Sequence, residues 1–320
     1  MTVEEIVADA EAAYDGRVWP VHPLDEDEEV SHDDRLTLYL GAAGMLWALR
    51  RLGSSLEVEI GALEEGAPGL FLGEPGVLAV TRSDDARLQQ LVDENAENPV
   101  WDPLWGSPGT ILAAKACGLE WRRSAQLLAE EWERHGYGLF TQHLIGEDEP
   151  SQHFGAAHGF AGNVHALRGY LDDDELRRRI EPVLREHAVW DGDTVNWPTS
   201  LGRPASRTQW CHGAPGIVTT LGDLLPEDLL LAAAEHTWRT GPLEKGPGLC
   251  HGTAGNGYAL LRTYVLTGDE RWLERAQSFA DAALGQVQHR YSLYTGDIGA
   301  ALFARAVEER DARFPIMDDI

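Results

Sequence analysis

Cysteine is scarce in this chain of 320 residues: Cys117, Cys211 and Cys250 are the only three. That is too few for a disulfide framework. Lysine is scarcer still, with Lys115 and Lys245 beside 24 arginines. Basic charge as a whole is short, since 26 Lys and Arg face 53 Asp and Glu for a formal charge of -27. A surface that acidic repels phosphate backbones and anionic headgroups, so nucleic acid and membrane surfaces are excluded as expected partners. Long apolar runs are missing too; none reaches the roughly 18 residues that a membrane-spanning helix needs. Residues 2–15 lack the basic and then apolar stretch of a signal peptide and carry Glu4, Glu5, Asp9 and Glu11 instead. Thr2 and Glu5 have the spacing of a capping box, so a helix is expected there. These absences predict a cytoplasmic protein. The acid-rich, lysine-poor balance also predicts a halophilic setting, because at molar salt the Debye length falls to about 3 Å and self-repulsion is screened. An ordinary acidic protein kept soluble by its charge is the alternative.

What is present is a repeat. Apolar residues make up 43% of the chain, enough for a real core. A Gly-x-x-Gly step followed by an apolar, helix-like run occurs seven times, at Gly41/Gly44, Gly73/Gly76, Gly106/Gly109, Gly159/Gly162, Gly213/Gly216, Gly252/Gly255 and Gly296/Gly299. A further pair, Gly66/Gly69, lacks the apolar run. First glycines lie 32 to 54 residues apart, close to a two-helix repeat with insertions. Between the steps, further helices are expected near 3–14, 84–96, 122–136, 174–188, 226–239 and 270–288, with a weaker one near 55–65. Leu176, Ile180, Val183, Leu184 and Ala188 show the one-sided pattern of an amphipathic helix. Alternating apolar and polar runs are short, so little strand is expected. Small residues at each step allow close helix approach, with free N–H groups pointing into a central space. The fold expected is all-α: a closed α/α toroid of seven helical hairpins in inner and outer layers, one domain over residues 1–320. An open α-solenoid is the rival, but it usually carries polar capping repeats that this sequence does not show. In the toroid most carboxylates, such as those of DEDEE at 25–29 and DDDE at 172–175, fall on outer helices and loops.

Two of the glycine steps follow cysteine, in Trp210-Cys211-His212-Gly213 and Leu249-Cys250-His251-Gly252. Neighbouring units would bring the two sulfurs together at the rim. One imidazole, His251 or His212, would complete a set of two sulfurs and one nitrogen that suits zinc and leaves a fourth position open. Two thiolates and a neutral imidazole cancel the ion's charge, so a thiolate bound at the open position stays electron-rich, and its pKa falls from about 8.5 to below neutrality. The plain alternative is a pair of buried apolar cysteines, which is how Cys117 reads. His158 begins the fourth step at the place of the two CHG histidines, and suits a general acid or base near neutral pH. Asp102, four residues before Gly106, and Arg207, four residues before Cys211, read equally well as surface or catalytic side chains. His153, His165, His187 and His289 fall outside the pattern.

WCHGAPG at 210–216, LCHGTAGN at 249–256 and AHGFAG at 157–162 resemble the signatures of the lanthionine synthetase C-like family, and the glycine steps carry the resemblance from Gly41 to Gly299. The resemblance implies two concentric layers of seven helices and zinc held by Cys211, Cys250 and His251. It implies a reaction in which a thiol adds to the β-carbon of dehydroalanine or dehydrobutyrine to form a thioether. His158, Asp102 and Arg207 match family positions, and His212 stands where some members carry Tyr and others His. Arg207 would face the enolate, while His158 or His212 would protonate it. Asp102 would orient or deprotonate the incoming thiol, or hold a histidine tautomer.

The function expected is therefore that of a zinc-dependent, thioether-forming enzyme. Its partners would be a dehydrated peptide or protein and a thiol, either a peptide cysteine or a small thiol such as glutathione. The two longest spacings hold GLFTQHLIGEDEPSQ at 138–152 and VWDGDTVNWPTSLGRP at 189–204, which read as loops and leave little room for an inserted domain. Two other readings stand beside it: a non-catalytic zinc- and thiol-binding protein, and a glycan hydrolase on the same toroid using paired carboxylates from Asp102, Glu74 and Asp297.

Overall fold

The computed structural model describes residues 1–26, 31–64, 66–145 and 148–320. It is mostly helical. In chain order the α-helices are α1 (Val3–Ala13), α2 (Pro23–Glu26), α3 (Ala42–Arg51), α4 (Glu74–Thr81), α5 (Asp85–Glu94), α6 (Ser107–Cys117) and α7 (Arg122–Arg134). They continue with α8 (Phe160–Ala166), α9 (Asp173–Glu186), α10 (Ala214–Leu221), α11 (Glu227–Thr240), α12 (Thr253–Thr267), α13 (Glu270–Gly285) and α14 (Asp297–Glu309). One antiparallel hairpin pairs β1 (Val189–Asp191) with β2 (Thr194–Asn196) inside the 189–204 loop.

Every one of the seven glycine steps opens a helix, and its first glycine is the N-cap. These helices, α3, α4, α6, α8, α10, α12 and α14, are the most buried among the described residues. Each packs on the next in that order, and α14 packs back on α3. The helices between them are amphipathic and lie outside: α5 and α7 against α6, α11 and α13 against α12, and α1 against α14. α1 starts with the capping box expected from Thr2 and Glu5. None of the described helices is long and apolar enough to cross a membrane.

The second glycine of each step explains this packing. A Cβ on Gly44 would lie 2.8 Å from Leu293 Cβ, and one on Gly216 would lie 3.1 Å from Ala156 Cβ. The same contact joins Gly76 to Leu38, Gly109 to Leu70, Gly162 to Pro103, Gly255 to Trp210 and Gly299 to Leu249. In each case the partner lies three residues before the first glycine of the preceding unit. The cycle of contacts runs through all seven units. At its centre Trp210 stacks on Phe314 with ring centroids 4.7 Å apart, beside Tyr294 and Phe71, so the middle is packed.

Three sequence expectations change. The helix N–H groups are not free: Phe160, Ala161 and Gly162 donate to the carbonyls of His153, Phe154 and Gly155. Thr253, Ala254 and Gly255 donate likewise to Gly246, Pro247 and Gly248. The approaching loop is wrapped so tightly that its own carbonyls satisfy the first turn. Residues 55–64 form no helix, and Glu65 lies outside the described residues. Leu56, Val58 and Ile60 alternate with exposed residues and lie on the core, as an extended segment requires. Finally, Asp25 is not on the surface. It is 6% exposed and paired with buried Arg290, while Asp27, Glu28 and Glu29 of the same run lie outside the described residues.

The contact that links the last unit to the first is testable. Gly44→Ala would place a methyl 2.1 Å from the Leu38 carbonyl oxygen, and denaturant unfolding should show a loss of about 2–4 kcal/mol. Gly268→Ala, at a left-handed helix end with open space around it, should cost only about 1 kcal/mol.

Candidate functional site

The wrapped loop fixes which side chains meet at the helix starts. Two residues before each first glycine stand Tyr39, Phe71, Leu104, Ala157, Cys211, Cys250 and Tyr294. Backbone bonds join these positions sideways: Cys211 N–H donates to Cys250 C=O (3.2 Å), Cys250 N–H to Tyr294 C=O (2.9 Å), Tyr294 N–H to Tyr39 C=O (3.3 Å) and Tyr39 N–H to Phe71 C=O (2.9 Å). The two cysteines are neighbours because their units are.

Both thiols are free and 5% exposed. The Cys250 thiol hydrogen-bonds the Cys211 sulfur, and that bond is the main reason the Cys211 thiol is pulled down to about 7. Burial opposes the shift; the charges of His158 and Arg207 and a hydrogen bond from Gln209 assist it. Gln209 Nε2 lies 2.9 Å from Cys211 Sγ. Cys250, as the donor, is pushed well above the ordinary thiol range by the same bond and by burial, against a hydrogen bond from Tyr39. His251 is held neutral, its pKa lowered to about 4 by burial and then by the fields of Lys245 and Arg290.

One residue nearer the glycine, a row of rings crosses three units. Trp105 lies 5.4 Å from His158, and His158 stacks on His212 at 5.5 Å with 18° between planes. His158 Nδ1 is 3.1 Å from Asp102 Oδ2, and Asp102 Oδ1 accepts the Trp105 N–H at 2.8 Å. Asp102 is fully buried, so it is not a surface carboxylate. His212 is lowered to about 3 by burial and then by His158, His153 and Arg207, so it stays neutral across the ordinary pH range. His153 lies 6.0 Å from His212 and shares a 2.9 Å hydrogen bond between its Nε2 and Ser151 Oγ. Arg207 is exposed, yet its charge reaches Cys211, His212 and His251.

The expected residues thus gather as a sulfur pair and a carboxylate–imidazole pair, with His212 stacked on the second. They do not form a finished cage: among the described residues no three His, Cys, Asp or Glu side chains converge to hold a metal ion. The donor chemistry nonetheless fits zinc. Two adjacent sulfurs, one ionising near neutrality, and an imidazole kept unprotonated are in the states a metal requires of its ligands. Two of the three carboxylates of the glycan-hydrolase reading are engaged elsewhere, since Glu74 pairs with Arg87 and Asp297 accepts from the backbone of Gln288 and Arg290; the third, Asp102, is bonded to His158. Cys117 is buried and its thiol is raised by burial, as a core residue should be. Sequence reasoning missed Gln209 and Tyr39. Their repeat positions carried a signal, since Gln209 occupies the place of Asp102 and Tyr39 that of the cysteines.

In metal-free protein, iodoacetamide should label Cys211 with a half-maximal rate near pH 7, below the ordinary thiol value of about 8.5. Mass mapping should find Cys117 unlabelled at that pH. Cys250→Ser, which weakens the bond that stabilises the Cys211 thiolate, should move the midpoint upward.

The chain is similar to known proteins. The family model for lanthionine synthetase C-like proteins matches residues 86–317. "LanC-like protein GCL1" of Arabidopsis thaliana is 33% identical over 184 residues, 51% of this chain and 42% of that protein. "Glutathione S-transferase LANCL1" of Danio rerio is 30% identical over 195 residues, 55% of this chain and 48% of that protein. The matches thus span about half the length of these curated relatives. Among solved structures, nisin cyclase superposes with a TM-score of 0.64 at 16% identity, covering 98% of this chain and 96% of its own, which shows a shared fold. With buried, neighbouring cysteines in two of its glycine steps and a family match over most of its length, the chain belongs to the lanthionine synthetase C-like family.

Proposed function

We propose that this protein joins a thiol to a dehydroalanine or dehydrobutyrine residue as a zinc-dependent, thioether-forming enzyme. In this reading the seven inner helices, with the outer helices packed around them, close into one α/α toroid domain over residues 1–320. The observation that carries it is the buried, backbone-linked Cys211–Cys250 pair, set beside the Asp102–His158 pair in a cycle of packed units.

Cys211, Cys250 and His251 would hold the zinc, which when bound lowers the pKa of an incoming thiol and leaves the thiolate nucleophilic. The other roles belong to the chain's own side chains. Asp102 accepts from His158 Nδ1, which fixes the tautomer and makes Nε2 the basic nitrogen. That nitrogen takes a proton from the arriving thiol and returns one to Cα of the acceptor after addition. His212 stays neutral and packs against His158, so it orients the ring and supplies an N–H; it is not the cationic acid. Arg207 places positive charge over the same end of the molecule, where the enolate oxygen gains negative charge. Its exposure suits a group that meets substrate at the entrance.

Glutathione or a peptide cysteine can serve as the thiol. The relative named a glutathione S-transferase favours the small thiol, and the likeness to nisin cyclase supports the fold alone.

Purified protein supplied with zinc, glutathione and a dehydroalanine peptide should yield an adduct whose mass is the sum of the two. A cysteine-bearing dehydrated peptide should be tried in parallel. Absence of a metal-dependent adduct with either thiol would sink the proposal. Cys211→Ala and Cys250→Ala should abolish both zinc retention and turnover. His158→Asn should retain zinc and lower kcat by about 10²–10⁴-fold.

A further inference from the structure

Each sulfur of the pair is influenced by a neutral side chain outside the proposed donor set: Cys211 by a hydrogen bond from Gln209, Cys250 by Tyr39. Gln209 is 7% exposed and lies in the same tight turn as Cys211. Its N–H donates to His212 C=O at 3.0 Å and its C=O accepts the His212 N–H at 3.1 Å. With the turn pinned at both ends, the amide folds back over the sulfur, Nε2 to Sγ 2.9 Å. Tyr39 comes from the other side of the cycle. Its backbone is held between Phe71 and Tyr294, and its ring is stacked on Tyr294 at 5.2 Å with 11° between planes. From there its hydroxyl lowers the Cys250 thiol against the effect of burial.

We propose that Gln209 and Tyr39 are positioning residues that fix the orientation and electron density of the Cys211 and Cys250 sulfurs towards the metal. The inference rests on the zinc reading above. A sulfur with one lone pair committed to an N–H or O–H has fewer directions left for a metal, so the pair is pre-aimed. A hydrogen bond also draws charge from a thiolate, and partners outside the ligand set typically change metal affinity by about 10–100-fold. One donor per sulfur keeps the two ligands matched. Without them both sulfurs become more electron-rich and less well aimed, and an incoming thiolate shares the ion with stronger competitors.

The test uses the full chain with Gln209→Met, Tyr39→Phe and the double variant, with circular dichroism as the check on folding. Loaded with cobalt(II), each single variant should move the sulfur-to-cobalt charge-transfer band to lower energy, and the double variant further. Competition with a chromophoric chelator should show zinc bound about 10–100-fold more weakly. Gln209→Glu, close in shape but without the donor, should weaken zinc at least as much, which covers the case in which Gln209→Met does not fold. A wild-type band that none of the folded variants moves, with unchanged zinc affinity, overturns this inference alone. A wild-type protein that shows no sulfur-to-cobalt band overturns the zinc reading and this inference together.

Discussion

The structure depends on one steric constraint: a helix start must come within van der Waals contact of the preceding unit's loop. Only a residue without a side chain permits it. At Gly44 and Gly216 a single methyl would collide both with the residue's own wrapped loop and with the neighbouring unit. The same offset recurs in seven units, so a local rule about side-chain size becomes a rule about architecture. The packing direction is set by the glycine, and the apolar run after it supplies the burial that makes the contact favourable.

The site follows from the same register. A loop wrapped over its own helix start satisfies the first-turn amides with its carbonyls, so those amides are spent on structure. The ends of the inner helices then offer side chains rather than backbone dipoles. Positions that are apolar or aromatic in some units, such as Phe71, Leu104 and Tyr294, are thiols in two adjacent ones. One place closer to the glycine, Trp105, His158 and His212 form a stacked row. Chemistry is written here by substitution at fixed ring positions, on a frame that does not change from unit to unit.

This explains what could be read in advance. The seven inner helices were legible because the glycine steps mark their first residue, and the outer helices because their amphipathic period is strong. The 55–64 segment was not, since its alternating Leu56, Val58 and Ile60 serve an extended path that no helical pattern announces. The cysteines and His158 stood out by residue type. Asp102 was ambiguous until its burial and its bond to His158 were visible. Asp25 looked like part of a solvated acidic run because its partner, Arg290, lies 265 residues away. Gln209 and Tyr39 are ordinary residue types; only their repeat positions hinted at a role, which the atoms beside them make specific.

The joint between the last unit and the first has a consequence for assembly. Cys211 and Cys250 are 39 residues apart along the chain, whereas Tyr294 and Tyr39 are separated by 255. Closing the longer loop costs only about 1.7 kcal/mol more in chain entropy, because the cost grows with the logarithm of length. It still places the two joints in order: the sulfurs can meet while the cycle is open, but Tyr39 reaches Cys250 only after the ends have come together. The approach of Tyr39 to Cys250 is therefore a record of completed assembly.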